Sequence, residues 1–103
     1  MNKTVSNPAA TRELVLYAEN TRSVYDATLP IIHNLQKKYN KGIFDNEKAV
    51  KAFENIAEYA AKLYCKEFAE PSQWFTVFNA ATRRETAREL LDGYMENIVN
   101  NDV

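Results

Sequence analysis

Apolar and polar positions follow one another along most of this chain with a helical rhythm, apolar residues recurring every three or four positions. The longest such run predicts a helix over about 46–69. In it Ala49, Phe53, Ile56, Ala57, Ala60, Leu63 and Tyr64 share one stripe, flanked by Ala52, Tyr59, Ala61 and Phe68. The opposite face carries Lys48, Lys51, Glu54, Glu58, Lys62 and Lys66. Glu47 and Lys51, and again Glu58 and Lys62, place the acid four residues ahead of the base, which is the stabilising order. Asp45 is positioned to accept from the free N–H groups at the helix start, Gly42 suits the left-handed turn that closes a preceding helix, and Pro71 stops the run. An apolar arc this wide needs at least two helical neighbours, so this helix is expected at the centre of the fold.

The other elements are shorter. A first helix is expected from Pro8 or Thr11, with Leu14, Tyr17, Ala18, Thr21, Val24, Tyr25 and Thr28 on its inner side. Leu16 points the other way and reads either as an isolated exposed side chain or as an interface contact. Thr28-Leu29-Pro30 predicts a kink or a new start, because Pro30 lacks an N–H and disfavours helical geometry at Leu29. A second helix, about 30–41, turns Ile32, Leu35 and Tyr39 inward with Ile31 at the edge. After Pro71, the segment SQWFTVF has a cap candidate in Ser72 and a core pair in Trp74 and Phe78. Thr82-Arg83-Arg84-Glu85 has the form of a capping box, and Ala87, Leu90, Leu91, Tyr94 and Ile98 make the last inner stripe. These elements predict an all-α bundle of four to five helices in one domain, with residues 1–8 and 100–103 flexible.

Composition narrows the class. A chain of 103 residues with two glycines and three prolines has room for one core and too few turn residues for an all-β domain. The net charge of -1 argues against a protein that coats nucleic acid by charge alone. Cys65, the single cysteine, rules out an internal disulfide, and no apolar run is long enough for a membrane span or signal segment, so a cytoplasmic location with no membrane contact is expected.

Two charged features and one odd acid are the candidate sites. Lys37, Lys38 and Lys41, with His33, Lys48 and Lys51 around them and Tyr39 and Phe44 interleaved, have the chemistry to hold a phosphate backbone or an acidic partner. Equally, cations at a helix C-terminus answer its macrodipole, and Asp45 and Glu47 lie in the same stretch. Glu85, Glu89, Asp92 and Glu96, spaced 4, 3 and 4 with Arg88 beside them, stack four carboxylates on one face. Such a row repels itself, and reads as a solvated face, a surface for a basic partner or, more remotely, a divalent-cation site. Glu67 extends the central stripe beneath Ala49 and Ala60, where a buried carboxylate would need Arg83 or Arg84 as its partner. Cys65 falls at the boundary of the polar face and His33 off its own helix's stripe, so neither is placed for nucleophilic catalysis. There is no glycine-rich phosphate cradle, no paired Cys or His at metal spacing and no nucleophile elbow. No catalytic residue, cofactor or metal is therefore expected.

Asn34-Leu35 with Lys38, then Lys41-Gly42-Ile43-Phe44-Asp45, Lys48-Ala49-Val50, Ala60-Ala61-Lys62 with Tyr64, and Lys66-Glu67-Phe68 resemble a pattern in short uncharacterised proteins of bacteriophages and bacterial mobile elements. The resemblance covers the middle of the chain, and the segment around Trp74 departs from it. It implies a small helical accessory protein that modifies a host process. The expected function is that of a non-enzymatic protein-interaction module, with nucleic-acid binding through the cluster from His33 to Lys51 as the alternative.

Overall fold

The computed structural model describes residues 5–102, all helix and connecting turns. Five α-helices follow in order: α1 (Pro8–Asn20), α2 (Arg22–Asn40), α3 (Asn46–Phe68), α4 (Trp74–Val77) and α5 (Ala80–Asn100), with a 3-10 turn at Pro71–Gln73 before α4. The bundle measures 42 × 29 × 18 Å. Its short dimension is about two helix widths of ~10 Å, so the helices lie in two layers.

The central element is α3. It packs most extensively on α5 and also touches α1 and α2. Ala49, Phe53, Ile56, Ala57 and Ala60 are buried as their spacing requires, and Ala61 and Cys65 are buried with them. The four buried alanines leave the α3 backbone accessible to its neighbours, and Phe53 and Ile56 fill the space between. Leu63 and Tyr64 are only half-buried, and Tyr59 and Phe68 are exposed. Cys65 therefore belongs to the core and not to the polar boundary. Asp45 caps the helix by accepting from the Lys48 N–H at 3.1 Å, and Gly42 takes the left-handed conformation (φ 73°) that ends α2.

The first break does not occur at Pro30. Thr21, in extended geometry (φ -102°, ψ 115°), separates α1 from α2, and α2 runs on through Pro30. Pro30 is exposed, so the Asp26 carbonyl that its missing N–H leaves free can turn to water; the carbonyl one residue earlier, that of Tyr25, accepts from the Thr28 hydroxyl at 2.6 Å. Tyr39, expected inside, is exposed and rests edge-on against Phe44 with ring centroids 6.2 Å apart.

The start of α5 also differs from the capping-box expectation. Asn79 is the cap, accepting from the Thr82 N–H at 2.8 Å, while Thr82 is buried and accepts from the Asn7 N–H at 3.0 Å. Asn79 donates in turn to the Val5 carbonyl. Residues 5–8 are thereby tied to α5; residues 1–4, expected to be flexible, lie outside the described residues. At the other end, Gln36 of α2 donates to the Asn97 and Asp102 carbonyls, and Asn40 and Asn101 exchange amide hydrogen bonds at 2.9 and 3.0 Å. These bonds hold residues 100–102, also expected to be flexible, against α2; Val103 lies outside the described residues. Ser72 makes no cap, and the 3-10 turn opens from Glu70. Phe78 is 1% exposed, whereas Trp74 is half-buried, with the Lys62 ammonium 4.9 Å and the Arg83 guanidinium 4.8 Å from its ring centre. Among the described residues no helix is long and apolar enough to cross a membrane.

Candidate functional site

The C-terminal ends of α1 and α3 lie side by side and leave an open groove of about 390 Å³ between them. It is lined by Glu13, Leu16, Tyr17, Asn20, Thr21, Tyr64 and Phe68. Three rings form its aromatic side: Tyr17 meets Tyr64 edge-on at 5.3 Å and Phe68 edge-on at 6.2 Å, and Tyr64 meets Phe68 at 5.0 Å. Behind them Phe78 packs edge-on against Tyr64 at 5.2 Å, so the groove wall is backed by the core. Leu16 is 50% exposed and Phe68 62% exposed. The rings are thus supported from below by the core, and Phe68 and Leu16 present apolar surface to solvent.

Glu67 sits at this groove and not in the core. It is exposed, and its carboxylate accepts a hydrogen bond from the Tyr17 hydroxyl at 3.2 Å. Neither predicted arginine reaches it. Arg83 donates to the Phe78 carbonyl at 2.7 Å, and Arg84 pairs with Glu47 at 3.1 Å and approaches Glu54 at 3.9 Å. The helical wheel put Glu67 under Ala60, but in the last turn of α3 the neighbouring helices no longer cover that side. Desolvation holds the Tyr17 phenol above its ordinary range, reinforced by the bond to Glu67; desolvation does the same to Tyr64, with the Glu13 charge as a second cause.

The two charged clusters occupy other surfaces. His33, Lys37, Lys41, Lys48 and Lys51 are exposed and Lys38 is half-buried, gathered where α2 ends and α3 begins. Ile43 stands among them 61% exposed. Lys48 and Tyr64 are ~24 Å apart along α3 at ~1.5 Å per residue, so the basic cluster and the aromatic groove occupy opposite ends of the bundle. Of the carboxylate row on α5, Glu85 approaches Arg88 at 3.6 Å. Among the described residues, Glu89, Asp92 and Glu96 are exposed and have no ion-pair partner. Glu19 of α1 comes beside this row, its carboxylate 3.9 Å from where a Cβ on Gly93 would stand.

No group of three or more His, Cys, Asp or Glu side chains is placed to hold a metal ion among the described residues. Burial raises the Cys65 thiol, and it and the exposed His33 belong to different parts of the molecule, one inside the core and one on its surface. The groove escaped the spacing analysis because it joins two helix ends distant in sequence. Its traces were Leu16, which broke the stripe of its helix, and Phe68, at the flank of another. The chain matches no protein-family model, no curated protein and no solved structure.

Proposed function

We infer that this protein is a small non-enzymatic interaction module that docks a protein partner on the groove between α1 and α3. The observation that carries this reading is the aromatic cluster of half-buried Tyr17 and Tyr64 with exposed Phe68, which lines an open channel together with Leu16 and is backed by buried Phe78. Side chains of this kind, held rigid before binding, lose little conformational freedom when a partner arrives. The exposed acids Glu89, Asp92 and Glu96, on another surface of the bundle, would then steer a basic partner at longer range and not hold it in the groove. The resemblance of the 34–68 stretch to short phage proteins directs the search for that partner to a bacterial host.

Affinity capture from a bacterial lysate tests the reading when the parent is compared with a Leu16→Ser, Phe68→Ser double variant of unchanged helicity. Proteins lost from the variant and kept by the parent are the expected result; the same set on both sinks it. Reversing Glu89 and Asp92 to Lys should slow capture without abolishing it.

A second reading, nucleic-acid binding, is favoured by the exposed cations from His33 to Lys51 with Tyr39 and Ile43 among them. It requires salt-dependent binding of random duplex or single-stranded oligonucleotides at physiological salt, lost when Lys37, Lys38 and Lys41 are all changed to Glu. The near-neutral net charge and the acids inside the cluster favour the protein partner.

A further inference from the structure

Resting on that docking reading, we propose that the groove is an arginine site: the guanidinium of a partner's arginine lies on the Tyr17–Tyr64–Phe68 rings between the carboxylates of Glu13 and Glu67. Two sets of groups point to a cation. The aromatic faces carry partial negative charge and attract a cation placed over them. Two carboxylates stand at the groove: Glu13 in the lining and Glu67 at its edge, bonded to Tyr17. No lysine or arginine lines the channel. Arg22, next in sequence to the lining residue Thr21, is tied to Asp26 at 3.0 Å and does not neutralise the site from within.

Arginine fits this combination better than lysine. Its planar guanidinium stacks on a ring and offers paired N–H donors to a carboxylate in the same pose, and it is less strongly hydrated than an ammonium group. Its three methylenes would lie along Leu16, whose exposed side chain also lines the groove. Asn20 and Thr21, also in the lining, supply neutral acceptors for the remaining N–H groups. Burial is the main cause that holds the Tyr17 and Tyr64 phenols high, and the neighbouring carboxylates, Glu67 for Tyr17 and Glu13 for Tyr64, act in the same direction.

The test uses the full chain and two blocked tripeptides, Leu-Arg-Leu and Leu-citrulline-Leu, the second being a neutral isostere of the first. Chemical-shift titration should give saturable changes on Leu16, Tyr17, Tyr64 and Phe68 with the arginine peptide, and affinity weaker by about tenfold with citrulline. Glu13→Gln and Glu67→Gln should each weaken the arginine peptide by a larger factor than the citrulline peptide, narrowing the difference between the two, a pattern that loss of folding cannot produce. Equal affinity for the two peptides overturns the arginine assignment and leaves a purely apolar docking groove. Shifts confined to Glu89, Asp92 and Glu96, or no saturable shift at millimolar peptide, overturn it as well. A capture experiment in which Leu16→Ser, Phe68→Ser behaves as the parent would instead remove the docking reading itself, so the two failures are distinguishable.

Discussion

Phe75 and Phe78 lie three residues apart in one short segment, and truncating each to alanine separates support of the groove from decoration of the surface. Phe78 is 1% exposed, meets Tyr64 edge-on at 5.2 Å and lies just beyond α4, with φ -118° and ψ 84°. Removing its ring deletes a buried aromatic and leaves a hole beneath Tyr64, a change that costs ~3–5 kcal/mol where surrounding helices cannot collapse. Collapse is restricted here because Tyr64 is also held by Tyr17 and Phe68. Phe75 is 58% exposed, so less than half of its surface is covered. Taking a covered aromatic as ~200 Å² and ~25 cal/mol per Å², its share is at most ~2 kcal/mol, and the true cost is lower because water refills the gap and the unfolded chain already hides part of the ring. Urea denaturation followed by far-UV circular dichroism should therefore show Phe78→Ala losing several kcal/mol with an unchanged m-value, and Phe75→Ala losing ~1 kcal/mol or less. A domain of this size commonly has ~5–15 kcal/mol in all, so the first change consumes a large share. If the two variants unfolded at the same midpoint, the inward turn of the segment at Phe78 would be refuted.

Three further outcomes follow from features already described. Glu67→Gln should leave the urea midpoint nearly unchanged, since the carboxylate is exposed, but should lower the Tyr17 pKa in a phenolate absorbance titration; a large loss of stability would mean that Glu67 is buried after all. Burial pushes Cys65 above 9.0 and Tyr17, Tyr64 and Tyr94 above 10.0. Each then holds its proton more tightly when folded, so its contribution is complete below those values and is lost as the pH rises through the folded pKa. Thermal midpoints should hold up to about pH 9 and fall beyond it, and a midpoint that rises above pH 10 would contradict this. Pro30→Ala restores an N–H donor inside α2 at an exposed position and should raise stability, with ~3 kcal/mol as a ceiling; a loss would show that α2 needs the proline.

The bundle was legible wherever a local signal agreed with a tertiary one. Asp45 and Pro71 delimited α3 because capping and chain stopping depend on neighbouring residues alone. The α1–α2 break was not legible: the stripe from Tyr17 and Ala18 through Val24 and Tyr25 stays in phase across Thr21, and one extended residue barely disturbs a helical period. Pro30 misled for the opposite reason, since its local preference was overridden by the packing of Val24, Thr28, Ile32 and Leu35 on one buried face. Thr82 had the right form for a cap, but burial assigned its hydroxyl to Asn7 and gave the cap to Asn79. Glu67 and Tyr39 failed together: a wheel records direction around a helix and not whether a neighbour extends far enough along the axis to cover it. The candidate groove, built from two such uncovered ends, was therefore outside the reach of periodicity, whereas the basic cluster and the carboxylate row, each local to one stretch, could be read directly.

The clasp on Trp74 also turns the molecule into its own optical probe. The chain has a single tryptophan, and its indole is approached by Lys62 from α3 and Arg83 from α5. Its emission therefore reports one junction, where the segment after Pro71 closes over the α3–α5 seam, and is blind to the rest of the bundle. Compared with helicity measured across the whole chain, it tells whether that segment lifts away before the helices melt or only with them. If it lifts first, Phe78 withdraws from behind Tyr64, and the aromatic wall of the groove loosens while the helices remain intact.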